Sequence, residues 1–157
     1  MSARQNPYVG KAGHLAAMAE FLLRGWNTAI PEVDIGDDIY VVEDGDGTLI
    51  RVQVKTAHAK WHKSGKTYGC TFALRADQVQ ADAVTPLYYV FMVRIVDPTK
   101  ALDQWDAPLI VPREDLKEEI TASGKKPNKK GSYSIYFTHT AGEVNWGARD
   151  MTKYIKD

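Results

Sequence analysis

At 157 residues the chain is long enough for one domain with a sizeable core, and a single domain over residues 1–157 is the expected organisation. Twenty basic and twenty acidic side chains cancel, so net charge by itself points to neither a nucleic acid nor a membrane surface. One cysteine, Cys70, excludes an intrachain disulfide and a multi-cysteine zinc site; no apolar run has signal-peptide form or bilayer length, so a soluble, cytoplasmic protein is expected.

Leu15, Met18, Ala19, Leu22 and Leu23 recur at helical spacing and predict a helix over 13–24, stopped by Gly25. Residues 38–42 read as a strand, "EDGDG" as a hairpin turn and 49–56 as the returning strand. "AHAKWHKSGKTYG" reads as a basic, aromatic-containing loop, followed by a strand over 70–74 and a weak helix over 76–83. Residues 87–96, "LYYVFMVRIV", are apolar almost throughout, as suits a strand buried on both faces. "DAPLIVPREDLKEEI" predicts a short strand and then a helix with Pro112, Glu114 and Asp115 near its start. A lysine-rich loop, a strand over 132–137 and a terminal helix over 148–155 complete the series. The expected fold class is therefore α/β, a mixed β-sheet flanked by helices.

Charge is unevenly placed. Seven acids fall within fifteen residues: Glu32, Asp34, Asp37, Asp38, Glu43, Asp44 and Asp46. Seven lysines sit elsewhere, as Lys60, Lys63 and Lys66, then Lys125, Lys126, Lys129 and Lys130. A neutral chain can thus still carry a local positive track suited to phosphates.

The acids and one strand meet in a chemically suggestive way. Side chains of a strand alternate faces, so Ile50, Val52 and Val54 take one side and Arg51, Gln53 and Lys55 the other. A turn near Gly45 and Asp46 brings Asp38 close to Lys55 and Gln53. A hard divalent cation takes oxygen ligands and keeps several waters. Asp38 can supply a carboxylate, Gln53 an amide oxygen and Val54 its carbonyl, while Lys55 can hold or polarise an attacking water.

The stretch "GKAGHLAAMAEFLLRGWNTAIPEVDIGDDIYVVEDGDGTLIRVQVKT" resembles the PD-(D/E)XK nuclease superfamily, in particular its small Holliday-junction resolvases and intron-encoded endonucleases. The shared pattern is an opening helix ending in glycine, an aspartate at a strand start, and (D/E/Q)-x-K on the next strand. Here these are residues 13–25, Asp38, and Gln53-Val54-Lys55. The resemblance implies a restriction-endonuclease-like fold and hydrolysis of DNA, branched DNA included, with Mg²⁺ or Mn²⁺ held by Asp38, Gln53 and Val54. It also implies a two-fold homodimer, because cutting two strands needs two sites. The two lysine clusters would follow phosphates.

The sequence departs from the pattern at one place. Relatives carry a glutamate near the start of the opening helix, where this chain has His14. Glu20, the only acid of the helix, is about 120° away around the axis at ~100° per residue. Either Glu20 reaches the site by another helix placement, or His14 acts as ligand or proton carrier, or activity is lost. The last option leaves a nuclease-fold module that binds nucleic acid or a partner protein. Asp34 reads as a turn residue, and His58 and His62 as loop residues rather than a metal pair. Trp61, Tyr68 and Trp105 could stack on bases, though packing is the simpler reading.

Overall fold

The structure is a computed structural model that describes residues 6–32, 36–64, 66–82, 85–96, 104–140 and 142–155. The turn reading of Asp34 and the predicted helix end at residue 83 lie outside these residues.

Helix α1 (Asn6–Leu23) is longer than its apolar stripe predicts, because Pro7 can occupy a first helical turn without costing a hydrogen bond. It stops as expected: Gly25 takes a φ of 80°, and its N–H donates to the carbonyl of Leu22. The strands β1 (Trp26–Ala29), β2 (Ile39–Glu43) and β3 (Leu49–His62) follow as an antiparallel meander. Gly47, at a φ of 73°, closes the β2–β3 turn by donating to Glu43 O, and Asp46 accepts from the Thr48 amide.

Here the structure corrects the sequence reading. The stretch predicted as a basic loop is the second half of β3 and the start of β4 (Thr67–Arg75), so Lys60, Trp61 and His62 belong to a ribbon and only the tip is a turn. Period-2 alternation continues through "AHAKWH", but alanine, histidine and lysine are weak strand formers, and pairing overrides propensity. The helix α2 (Ala76–Gln80) is shorter than expected, and β5 (Leu87–Val96) spans the predicted residues. The two-residue β6 (Gln104–Trp105) precedes β7 (Leu109–Pro112) and α3 (Arg113–Ala122). β8 (Ser132–Thr140) pairs with β9 (Glu143–Trp146), which pairs with β10 (Arg149–Asp150). The predicted terminal helix is replaced by the two-residue β10 and a 3-10 turn, Thr152–Tyr154.

The ten strands among the described residues form one mixed sheet, α/β as expected. β3 is its fork. One side of β3 runs parallel to β5 over Arg51 to Lys60. Its other side pairs β2 over Leu49 to Val52 and β4 over Lys60 to His62. Between them, among the described residues, 53–59 have strand pairing on the β5 side only.

The two faces bury different clusters. Ala17 and Phe21 of α1 cover Ile39, Val41, Val52, Val54, Val90 and Met92. On the opposite face, β4 and β8 pack with α2 and α3 over Tyr89, Phe91 and Val93, and the rings of Phe72, Phe91 and Phe137 meet edge-on or tilted at 4.9 to 5.5 Å. Burying a side chain of this size stabilises by about 1.5–3 kcal/mol.

Candidate functional site

The unpaired side of β3 meets Asp38, and His14 of α1 faces the same carboxylate. Asp38 stands one residue before β2, and its N–H donates to Val52 O at 2.9 Å. Val42 pairs Leu49 and Ile39 pairs Val52, so Asp38 and Ile39 both stand opposite Val52, at the point where the β2–β3 ladder ends. The Val54 N–H donates to Asp38 Oδ2 at 2.7 Å. In an extended chain the N–H and C=O of one residue point the same way, so the Val54 carbonyl also aims toward Asp38. Asp38 retains 15% exposure, and His14 Nε2 of α1 stands 3.5 Å from its Oδ1.

His14 reaches this place because α1 lies very close to β3. A Cβ on Gly13 would stand 1.8 Å from Thr56 Oγ1, so only glycine permits the approach.

Gln53 is 5% exposed. Its Nε2 donates to Gln78 Oε1 of α2 at 3.3 Å, whereas its Oε1 is buried and has no hydrogen-bond partner among the described residues. An orphaned buried acceptor costs about 1–3 kcal/mol, so it calls for a ligand or water. Beside Gln53 on β5 lies Tyr89, fully buried, whose hydroxyl also has no partner among the described residues. Burial pushes that hydroxyl up to about 12, with Arg113 opposing and Asp77 and Asp38 adding to the rise. Lys55 is half-buried beside Phe91.

The remaining expected site residues lie apart. Glu20 is six residues along α1 from His14, about 9 Å of rise, and its carboxylate is held by Arg24 at 2.7 Å. This is a correction: the helix places Glu20 in an ion pair beside an apolar cavity of about 370 Å³ lined by Phe21, Trp26 and Tyr88, not with Asp38. Of the "GDD" pair only Asp38 enters the site. Asp37, 2% exposed, takes a two-pronged bond from Arg51 at 2.8 and 2.9 Å, which holds the guanidinium above its ordinary range. Lys60, Lys63 and Lys66 lie at the β3–β4 tip. Lys125, Lys126, Lys129 and Lys130 lie in the α3–β8 loop, which Asn128 braces through bonds from Lys130 and Ser132. The loop adjoins Arg75 and hence α2, whereas the tip is about 27 Å away along β4 at ~3.4 Å per residue.

His58 and His62 stand four residues apart on a strand, about 13 Å, too far to share a metal. Trp105 lies beneath Arg94, Tyr68 packs on Trp61 at 4.9 Å, and Trp61 keeps 41% exposure. Sequence reasoning missed Gln78 and Tyr89. Only the non-local α2 and β5 placements bring them in, although a tyrosine amid an apolar strand is a weak signal. It also missed a second constellation, in which Cys70 Sγ lies 3.6 Å from His139 Nε2 and His139 Nδ1 2.8 Å from Asp106. That array has nucleophile order but an inert thiol: burial, with Asp106, pushes Cys70 up to about 12.

With this geometry in view, comparisons become informative. Neither known protein families nor curated proteins match the sequence. Among solved structures, a bacterial homing endonuclease, I-Ssp6803I, superposes with a TM-score of 0.50, covering 98% of this chain and 86% of that one at 18% identity. The likeness is one of fold. It agrees with the expected α/β class, a mixed sheet flanked by helices. No described helix is long and apolar enough to cross a membrane.

Proposed function

We propose that this chain is a metal-dependent endonuclease of the PD-(D/E)XK plan, hydrolysing phosphodiester bonds in DNA. The observation that carries the reading is the Asp38 carboxylate clamped on the Val54 amide at the unpaired side of β3, the strand that also carries the orphaned Gln53 oxygen one residue earlier. Carboxylate, amide and backbone carbonyl oxygens are the donors that Mg²⁺ or Mn²⁺ prefers, with water completing the shell. A divalent cation bound there would offset charge on the phosphate and the leaving oxygen. Lys55 would hold the attacking water and a phosphate oxygen. His14 would fix the orientation of Asp38, standing where relatives have an acid. The two lysine clusters would follow the backbone of duplex or branched DNA, and a two-fold dimer would supply the second cut. The fold likeness to a homing endonuclease supports the same reading.

A second reading has its own observation. Glu20 and Asp37 are engaged by arginines, and no group of three His, Cys, Asp or Glu side chains suited to a metal occurs among the described residues. A site with one carboxylate binds metal weakly, which suits a module that holds nucleic acid or a partner protein without cutting.

Purified protein incubated with plasmid or four-way junction DNA and Mn²⁺ separates the two. Cleavage that disappears in Lys55→Ala and in Asp38→Ala is expected. Cleavage that survives both refutes the assignment, and a salt-sensitive gel shift without cleavage selects the binding module.

A further inference from the structure

Two polar atoms stand out because a folded chain rarely leaves such groups unmet. Gln53 Oε1 and the Tyr89 hydroxyl are both buried and both without a hydrogen-bond partner among the described residues. They belong to directly registered residues on β3 and β5, and both side chains turn to the face away from α1. One is an acceptor and the other a donor, yet they do not bond each other. Phenylalanine would fill the Tyr89 position and avoid the desolvation cost, as it does at the neighbouring Phe91. The hydroxyl therefore needs an explanation outside packing.

We propose that Tyr89 is a positioning residue of the site, whose hydroxyl holds a buried water that in turn fixes the Gln53 carboxamide. The inference rests on the nuclease reading and assigns a new member to that site. The water accepts the Tyr89 O–H and donates one proton to Gln53 Oε1. An amide oxygen has two lone pairs, so the second remains for a divalent cation. At the other end of the carboxamide, Nε2 is tied to Gln78. Held at both ends, Gln53 presents its oxygen in one orientation without searching rotamers. Supporting hydrogen bonds of this kind typically matter about 10- to 100-fold in metal affinity.

The decisive variant is Tyr89→Phe, measured by calorimetric titration with Mn²⁺ and by thermal unfolding without metal. The expected result is a melting temperature equal to or above that of the unchanged protein, together with Mn²⁺ affinity weaker by about tenfold or more. A Gln53→Leu background should abolish the difference, since Tyr89 acts through Gln53. Mn²⁺ affinity unchanged in Tyr89→Phe overturns the proposal and leaves the nuclease reading standing. A lower melting temperature also overturns it, because it would mean that the hydroxyl has a structural partner. If the unchanged protein binds no Mn²⁺, both the site reading and this inference fall.

Discussion

Replacing Gly13 by alanine tests whether α1 sits as close to β3 as the site requires. The added Cβ would meet Thr56 Oγ1 at 1.8 Å, Cγ2 at 2.7 Å and Cβ at 2.8 Å, where ordinary contact begins at 3.4 Å. Rotating the threonine can remove the first two clashes but not the third, because Cβ moves only with the backbone. The helix must therefore lift by several tenths of an ångström, or β3 must bend. Overpacking costs about 1–3 kcal/mol, and a clash that no rotamer relieves belongs in the upper part of that range, about 2–3 kcal/mol, of which the better helix propensity of alanine returns about 1 kcal/mol. A net loss of about 1–2 kcal/mol is expected. In urea, at a slope of about 2 kcal/mol/M, the midpoint should fall by about 0.5–1 M with the slope unchanged. Adding Thr56→Ala should recover part of the loss, since it removes Oγ1 and Cγ2 and leaves Cβ. His14 rides on the same turn, so metal-dependent activity should suffer along with stability. A Gly13→Ala protein as stable as the parent would refute the close packing, and with it the placement of His14 at Asp38.

Four further outcomes follow from the same geometry. Arg51→Met strands the Asp37 carboxylate at 2% exposure and should cost about 3 kcal/mol, the low end for a broken buried pair because Arg51 itself keeps 28% exposure; chemical denaturation checks it. Gln53→Glu adds a second anionic ligand and should tighten Mn²⁺ binding about tenfold by calorimetry, equivalent to roughly 1.4 kcal/mol. Hydrogen bonds from Thr48 hold the Asp46 carboxyl below its ordinary 3.8, so its contribution is present above that pH and lost as pH falls through the lowered folded value. The stability gap between the parent and Asp46→Ala should accordingly shrink in acid, and a gap that widens there would show the sign to be wrong. Cys70, with its thiol pushed up to about 12, should resist a thiol-specific reagent at pH 8 until guanidinium unfolds the chain, whereas rapid native labelling would contradict its burial.

What could be read in the sequence was local, and what escaped was not. The Gln53-Val54-Lys55 alternation, the Gly47 turn and the Gly25 stop are set by neighbours a few residues away, and the structure has them where the pattern puts them. Whether "AHAKWH" was loop or strand depended on β4 and β5, which its own residues do not encode strongly. Asp37 and Asp38 are indistinguishable as letters; Arg51, fourteen residues away, takes one and leaves the other for the site. Glu20 was ambiguous for the same reason, until its i, i+4 partner Arg24 claimed it. Gln78 and Tyr89 meet Gln53 only through the folded chain, so local pattern left at most the weak signal of a tyrosine in an apolar strand.

The β2–β3 hairpin has a consequence for how the protein folds. Asp38 and Gln53 are separated by fifteen positions, and the strands between them close through one short turn. Closing so small a loop takes about 10–100 ns, and forming a hairpin takes microseconds. Tyr89 must join across a far longer stretch of chain, in parallel register, which is the slower kind of pairing. Acid and amide can thus be neighbours before the sheet is complete, and substitutions in the Gly47 turn should slow refolding, whereas those at Tyr89 should act chiefly on unfolding.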